Sequence, residues 1–277
     1  MFEGLSVKGS MVRLSSSWRD VLSRARPDPA VTPLLGETLC ASVLLTSNIK
    51  FRGSVNLQIQ SGGIARLVLG QCSHDGRVRG LARLREDRTL PFLQQAVLSI
   101  NLEPESGSVP YQGIVEMDSD GLVSAIESYF SRSEQLESRF WLSADSKQCS
   151  GLMLQKMPGS SADPDGWNRV QNLSAGLSEE ELQSFDPERL IQLLFNQENV
   201  RLFRARSVRF ECSCSHGKVS EMLNSFGQVE LLGLLEELGH VEVVCEYCGK
   251  DYRFDAVDLA EIFSGHPLSA PQRGGVH

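Results

Sequence analysis

The chain has 277 residues, of which 41% are hydrophobic and 22% charged, and a formal net charge of −8, as in an ordinary globular protein of about two domains. Its richest apolar stretch, residues 38–49, is shorter than the roughly 18–20 residues of a membrane span and is flanked by Glu37 and Lys50. Residues 1–8 lack the basic and apolar regions of a secretory signal, so we expect a cytoplasmic protein in a reducing compartment with no membrane partner.

Residues 1–158 predict an α+β core domain, in which α and β elements are mixed. Alternating apolar residues indicate strands, and turns such as His74-Asp75-Gly76 separate them. The expected strands, which we place in one antiparallel-rich sheet, are residues 55–59, 65–70, 78–84, 112–117, 139–142 and 151–156. The expected helices are residues 18–25, 29–45 and 121–135.

Residues 159–211 predict a helical linker. Residues 158–166 concentrate Pro, Gly, Ser and Asp, a composition typical of a domain boundary. Ser178 and Glu181 have the spacing of a capping box, and Asp186-Pro187 is typical of a helix start, so two short helices should follow. Isolated helices shorter than about 12–15 residues are marginal in water, so their apolar faces must pack against another part of the chain.

Residues 212–277 predict a small C-terminal domain. Apolar residues at helical spacing indicate helices over residues 219–226 and 229–238, which Gly227 and Gly239 terminate. Residues 241–245 alternate as a strand, and the chain returns through residues 252–254. Asp255 should cap a last helix over residues 256–263, and we expect residues 264–277 to be disordered.

Four cysteines in this domain are the most informative feature of the chain. Cys212 and Cys214 form a C-x-C motif, and after a gap of thirty residues Cys245 and Cys248 form a C-x-x-C motif. Four soft thiolates in a tetrahedral array suit one Zn²⁺ in a closed structural site, so we predict that these cysteines bind zinc. An iron–sulfur centre also uses four cysteines, and His216 or His240 is close enough in sequence to replace one ligand.

The same four cysteines could instead form two disulfides, for which three pairings are possible. Cross-links between the two motifs would close loops of about 30 residues and constrain the unfolded chain by around 3–4 kcal/mol. Neighbour pairing within each motif closes only tiny loops while it removes every zinc ligand, so we predict it as the outcome that unfolds the domain. The other cysteines, Cys40, Cys72 and Cys149, have no partner at short spacing and are expected to be buried small hydrophobic residues.

The charge distribution and the sequence motifs distinguish between the remaining classes of function. Residues 211–277 hold eleven acidic and four basic residues, a balance of −7, whereas nucleic acid binding needs a basic face. This balance disfavours a zinc-ribbon regulatory protein. A thiol-disulfide oxidoreductase that uses Cys245 and Cys248 is a further alternative, although such motifs usually begin a helix near a βαβ unit. The common nucleotide-binding and hydrolase motifs are absent, so we expect no enzyme.

Five longer strings carry a family resemblance beyond the cysteines: residues 77–82 (RVRGLA), 111–115 (YQGIV), 129–136 (YFSRSEQL), 151–158 (GLMLQKMP) and 255–262 (DAVDLAEI). Over most of its length the chain resembles the redox-regulated holdase chaperones, the heat-shock proteins of about thirty-three kilodaltons that are also called 33 kDa chaperonins. In that family C-x-C is usually followed by Ser-Arg-Glu-Arg, whereas Ser215-His216-Gly217-Lys218 stands here and changes the charge environment of Cys214.

The resemblance implies a stress-response protein without ATP dependence. In the reduced, inactive state Cys212, Cys214, Cys245 and Cys248 would bind one zinc ion per chain. Oxidation would then form the disulfides Cys212–Cys214 and Cys245–Cys248, release zinc and unfold the linker. The resemblance also implies that the oxidised protein forms a homodimer and binds unfolding client proteins, which keeps them from aggregating.

Overall fold

The structure is a computed structural model that describes residues 1–105, 109–118, 120–159 and 163–264. The chain divides into two compact units, Met1–Glu211 and Cys212–His277. We predict disorder for residues 264–277. Of these, the structure describes only Ser264, which ends a helix. No helix in the described ranges has the length and apolar content needed to cross a membrane.

Strands of the first unit form two sheets. In chain order the strands are β1 (Val7–Leu14), β2 (Gly53–Gln60), β3 (Ala65–Ser73), β4 (Arg77–Leu84), β5 (Ala96–Pro104), β6 (Tyr111–Met117), β7 (Ser138–Ala144), β8 (Cys149–Lys156) and β9 (Arg209–Phe210). The larger sheet has the order β6-β5-β2-β3-β4-β9, and the smaller sheet has the order β1-β8-β7. Neighbouring strands are antiparallel except β4 and β9. The predicted α+β class with antiparallel-rich pairing is confirmed.

A buried helix lies at the centre of this unit. Its helices are α1 (Ser16–Ala25), α2 (Thr32–Thr46), α3 (Gly121–Tyr129), α4 (Gly166–Ser174), α5 (Glu179–Ser184) and α6 (Pro187–Leu194). α2 contacts strands of both sheets. Its sequence, TPLLGETLCASVLLT, is apolar on most sides, which is the pattern of a helix that is buried all round. The main hydrophobic core of the protein therefore surrounds α2.

The prediction of one sheet is wrong. β6 belongs to the larger sheet, whereas β7 and β8 form the smaller sheet with β1, a strand that the sequence reasoning did not identify. β1 pairs with β8 along its whole length, from Val7 opposite Lys156 to Leu14 opposite Cys149. Sequence pattern can locate strands, but the pairing of such distant segments depends on tertiary packing. β5 was also missed, although its buried residues Ala96, Leu98 and Ile100 alternate in the sequence.

Helix prediction was correct in type and less accurate in extent. The helix expected over residues 121–135 ends at Tyr129, and a π-helical turn, Phe130–Glu134, leads to Gln135 in a left-handed conformation with φ 56°. The predicted capping box is confirmed, because Ser178 Oγ accepts the Glu181 amide at 3.2 Å and the Ser178 amide donates to Glu181 Oε2 at 3.0 Å. α4 was not predicted, although Trp167 and Val170 already have helical spacing.

The second unit has a small core of its own. Its elements are α7 (His216–Phe226), α8 (Gln228–Leu238), β10 (Val241–Val244), β11 (Asp251–Phe254) and α9 (Ala256–Ser264), and β10 pairs with β11 as an antiparallel hairpin. Asp255 caps α9 as predicted, because its Oδ1 accepts the amides of Val257 and Asp258 at 2.8 and 3.0 Å. In its described part, the buried hydrophobic residues are Val219, Leu223, Leu231, Val241, Tyr252, Phe254, Leu259 and Ile262.

Candidate metal centre

Each cysteine pair lies in a short segment between regular elements. Cys212 and Cys214 are two residues apart, between β9 and α7. Cys245 and Cys248 lie in the turn between β10 and β11. There the Cys245 carbonyl accepts the amides of Cys248 at 3.2 Å and Gly249 at 2.7 Å, and Gly249 has a φ of 66° that favours glycine.

Folding of the second unit brings the four sulfurs together. The Sγ atoms of Cys212, Cys214, Cys245 and Cys248 all lie within 4.8 Å of one another. The shortest separations join the two motifs, at 3.7 Å between Cys212 and Cys245 and 3.4 Å between Cys214 and Cys248. All four residues are half-buried, so the cluster lies at the edge of the small core.

The dimensions of the cluster suit a four-coordinate metal ion. With a Zn–S bond of about 2.3 Å, sulfurs at the corners of a tetrahedron are about 3.8 Å apart. The measured separations of 3.4 and 3.7 Å, with an upper limit of 4.8 Å, fall around this value. The four cysteines can therefore hold one metal ion with little movement of the backbone.

Neither nearby histidine belongs to the cluster of potential ligands in the described residues. The ring of His216 packs against Phe254, with 4.5 Å between centroids, and lies 6.4 Å from the ring of Tyr252. His240 Nε2 is 3.6 Å from Glu242 Oε2. Replacement of a cysteine ligand by either residue is therefore not supported by the geometry.

The thiols of the four-cysteine cluster differ in their acidity. Burial opposes ionisation of Cys214, but electrostatic interactions with Tyr252 and with the other three cysteines of the cluster outweigh it and lower the pKa of Cys214 to about 7. Burial raises the pKa of Cys248 to about 12, and it also raises the pKa of Cys212. Cys214 also lies just before the N-terminus of α7, where the helix dipole stabilises a thiolate. The Cys214 thiol is therefore more acidic than those of Cys212 and Cys248.

Comparison with known proteins identifies the family. The family model described as Hsp33 protein matches residues 1–255. The chain belongs to the Hsp33 family. The 33 kDa chaperonin of Nitrosococcus oceani is 38% identical over 268 residues, covering 95% of this chain and 92% of that protein, and the 33 kDa chaperonin of Azotobacter vinelandii is 37% identical over 283 residues, covering 98% and 95%.

The fold agrees with a solved Hsp33 structure. The crystal structure of the 33 kDa chaperonin from Thermotoga maritima matches with a TM-score of 0.80 at 23% identity and covers 94% of each chain. These relatives are named 33 kDa chaperonins, which are not enzymes, so the expectation that this Hsp33-family chain is not an enzyme is confirmed.

Within the first unit of this Hsp33-family chain, the helices after residue 165 pack on an apolar surface whose residues the sequence reasoning did not identify. We call it the linker-docking surface and define it as Phe2, Leu5, Val7, Leu152 and Leu154, the last three of which lie on β1 and β8. It packs against buried residues of α4, α5, α6 and the residue after α6, namely Trp167, Val170, Leu182, Leu190 and Phe195. The expected packing of the linker helices against another part of the chain is thus observed.

Arg13 of β1 holds the junction between α5 and α6. Its Nη2 donates to the carbonyl of Leu182 at 2.9 Å and to the carbonyl of Phe185, and its Nη1 lies 3.8 Å from the carboxylate of Asp186. Asp186 precedes α6, but its side chain makes no cap hydrogen bond to the helix. The sequence signal of Asp186-Pro187 marked the helix start correctly and could not reveal the arginine partner 173 residues away.

Proposed function

We propose that this protein is a redox-regulated, ATP-independent holdase whose four-cysteine centre controls the packing of residues 159–211. In the reduced state Cys212, Cys214, Cys245 and Cys248 hold one zinc ion and the protein is inactive. Oxidation by peroxide during stress converts the four thiolates into the disulfides Cys212–Cys214 and Cys245–Cys248, so zinc is released. The linker then unfolds, and the protein binds unfolding client proteins as a homodimer.

The observation that carries this proposal is the dual chemistry of the cluster. Four sulfurs within 4.8 Å of one another suit one metal ion, and the same sulfurs are close enough to form disulfides after small rotations. A bound zinc ion would keep all four as thiolates and cross-link the second unit. Disulfide formation removes every ligand at once, so the two states exclude each other.

The linker-docking surface supplies the apolar area that a holdase needs. Phe2, Val7 and Leu154 are 3%, 0% and 1% exposed, because the helices of residues 166–194 cover them. Apolar area removed from water stabilises an association by about 25 cal/mol per Å². Unfolding of those helices would expose this surface to aggregation-prone segments of other proteins, and no nucleotide is needed for such binding.

The pairing of the disulfides is part of the proposal. The shortest sulfur separations join the two motifs, whereas the proposed disulfides join neighbours within each motif. Distance alone does not select a pairing, since all four atoms lie within 4.8 Å. Neighbour pairing is the one that leaves the second unit without a long-range cross-link, which is what unfolding requires.

We further propose that the protein acts in the cytoplasm and has neither nucleic acid nor membrane partners. The domain limits that go with this function are residues 1–158 for the core, 159–211 for the redox-sensitive linker and 212–277 for the zinc domain. The net charge of −7 over residues 211–277 supports the absence of nucleic acid.

The test combines zinc release, disulfide mapping and chaperone activity in one experiment. The reduced, zinc-loaded protein is treated with hydrogen peroxide at a mildly unfolding temperature, and zinc is measured with a chromogenic chelator. We expect release of about one zinc per chain, disulfides within each motif by mass spectrometry, and suppression of light scattering from an aggregating client. The variant Cys72→Ala is the matched control, because it lacks a core thiol but keeps the cluster.

Zinc release without any gain in the suppression of aggregation would contradict the chaperone switch. Disulfides that join the two motifs, such as Cys212 to Cys245, would contradict the proposed pairing and the unfolding that follows from it. Repeated turnover of a dithiol substrate by the reduced protein would instead support a thiol-disulfide oxidoreductase.

A further inference from the structure

Strand β9 adds to the outer edge of the larger sheet, next to β4. Its two residues, Arg209 and Phe210, pair in parallel with the first two residues of β4. The Arg209 amide donates to the Gly76 carbonyl at 2.9 Å, and the Glu211 amide donates to the Val78 carbonyl at 3.1 Å. Because the backbone groups of an edge strand can pair with any extended segment, this part of β4 accepts a strand, and β9 occupies it.

An aromatic side chain anchors β9 at this edge. The ring of Phe210 is half-buried and packs against the main hydrophobic core. The guanidinium of Arg24 on α1 lies over the same ring, with its Cζ atom 5.1 Å from the ring centroid. Phe203, in the coil that precedes β9, is by contrast 69% exposed. The edge of β4 therefore binds one aromatic side chain together with the backbone of a strand.

Charges beside β9 match those of the residues on either side of Phe210. Arg209 Nη2 lies 3.6 Å from Asp75 Oδ2, and Arg209 Nη1 also donates to the Asp75 carbonyl at 3.3 Å. Glu211 Oε1 lies 3.6 Å from Arg77 Nη1. Arg77 also pairs with Asp75 at 2.8 Å, so the charges form one network. Such exposed ion pairs contribute little energy, but they favour one charge order in the bound segment over the reverse.

These contacts define a surface that we call the β4 edge site, which consists of Arg24 and residues 75–78. Its contacts suit an extended segment that has an aromatic residue between a basic and an acidic one. The site is also connected to the metal centre along the chain, because Glu211 binds β4 through its amide and its carboxylate and is followed directly by Cys212. In the proposed function, oxidation unfolds residues 159–211, which include β9, and the β4 edge site is then vacant.

We propose that the β4 edge site is a second client-binding site, which β9 occupies in the reduced protein and an extended client segment occupies after oxidation. The client segment pairs with β4 through main-chain hydrogen bonds and places an aromatic side chain where Phe210 lies. The site is separate from the linker-docking surface, whose strand residues lie on β1 and β8 of the smaller sheet. This inference rests on the proposed function for the release of β9, but the site itself can be tested in the reduced protein.

The test removes the anchor of β9 while the metal centre stays reduced and zinc-loaded. The variant Phe210→Ser should release β9 from β4. The matched control is Phe203→Ser, which changes an exposed phenylalanine in the same segment of the chain. A second variant, Arg209→Glu, leaves the core unchanged and places a carboxylate against Asp75, so it should also weaken the binding of β9.

The probe is a fluorescein-labelled peptide with the sequence of residues 205–211, ARSVRFE. Its binding to each full-length protein is measured by fluorescence anisotropy. We expect Phe210→Ser to bind the peptide at least about ten times more tightly than the wild type or Phe203→Ser, because β9 no longer competes for the site. Arg209→Glu should give an increase in the same direction. The peptide that itself carries the Phe210→Ser change should bind none of these proteins.

A photoreactive benzophenone side chain in place of Phe210 in the peptide locates the site. It should label the β4 edge site in the Phe210→Ser variant and, after peroxide treatment, in the wild type. Equal affinity of the peptide for Phe210→Ser and Phe203→Ser, or labelling confined to the linker-docking surface, would overturn the proposal.

The labelling also distinguishes this proposal from the proposed function. An oxidised wild type that suppresses aggregation, without labelling of the β4 edge site in either protein, would overturn the second client site and leave the holdase function intact. Labelling of the site in Phe210→Ser but not in the oxidised wild type would support the site and contradict the release of residues 159–211 by oxidation.

Discussion

Glu37 shows at the scale of a single residue how α5 is coupled to the central helix α2. It belongs to the central helix α2, and burial raises the pKa of its carboxyl to about 7, with a further contribution from the negative charge of Glu179. Glu179 is the first residue of α5. Ionisation of Glu37 in the folded protein therefore costs free energy. Part of this cost arises from Glu179, so it depends on α5 being packed near α2.

The sign of the pH dependence follows from the two protonation states. The pKa of Glu37 is near 4.5 in an unfolded chain and about 7 in the folded protein, so the folded state binds the proton more tightly. The stabilisation is fully present below about pH 4.5 and is lost as the pH rises through about 7. The folded first unit should therefore be weakened between mildly acidic and mildly basic pH.

We predict that Glu37→Gln stabilises the first unit at pH 8 by roughly 1–3 kcal/mol, because the amide cannot ionise. The advantage over the wild type should shrink as the pH falls toward 4.5. Urea unfolding of both proteins at pH 8 and pH 5.5 measures the difference, with Glu180→Gln, an exposed change on the same linker helix, as the control. A Glu37→Gln effect of equal size at both pH values would contradict the prediction.

At the scale of elements, the junction of α5 and α6 depends on one cation from another part of the chain. The last turn of α5 exposes carbonyl groups that a helix cannot satisfy internally, and Arg13 donates to those of Leu182 and Phe185. Hydrogen bonds that involve a charged group contribute about 1.5–3 kcal/mol each in favourable cases. The capping box of Ser178 and Glu181 satisfies the other end of α5.

We predict that Arg13→Met loosens the docking of α5 and α6 by about 2–3 kcal/mol, because methionine keeps the apolar stem and loses both carbonyl contacts and the ion pair. Hydrogen exchange of residues 179–194 in the reduced, zinc-loaded protein should become about 30–100 times faster. The control is Arg19→Met, which changes an exposed arginine on α1. If the proposed function is correct, Arg13→Met also needs less peroxide for activation, and unchanged exchange would show that Arg13 does not hold the junction.

At the scale of the whole molecule, the two units differ in what holds them together. The first unit surrounds α2 with a large apolar core, whereas residues 212–264, the described part of the second unit, contain eight buried hydrophobic residues. Small domains of this kind usually need a metal or a disulfide, because their cores contribute only a few kcal/mol. A structural zinc ion can contribute about 10–16 kcal/mol, which exceeds that margin.

Removal of the metal should therefore destabilise the second unit and leave the stability of the first unit unchanged. We predict that a strong chelator under reducing conditions abolishes hydrogen-exchange protection in residues 216–264 and leaves the strands and α2 of the first unit protected. Zinc added back should restore protection, and a protein with all four cluster cysteines replaced by serine should not respond to zinc. Full protection of the second unit without metal would contradict a structural role for zinc.

Prediction from sequence succeeded where the signal was local. The spacing of Cys212, Cys214, Cys245 and Cys248, the capping box at Ser178 and the alternating strands β2 to β4 are all readable within short windows. Prediction failed for the partition of strands into two sheets, and it did not identify α4 as a helix even though its apolar spacing was present. The family assignment came from longer strings, and the comparisons confirm it.

By itself the sequence determined which four cysteines could hold a metal ion, the identity of most helices and strands, and the family to which the chain belongs. Only the tertiary structure decided that β1 pairs with β8 and that Arg13 holds the α5–α6 junction. These contacts join residues that are more than a hundred positions apart, and their energy comes from packing that exists only after the chain has folded. A local sequence pattern cannot indicate which distant residues will be in contact.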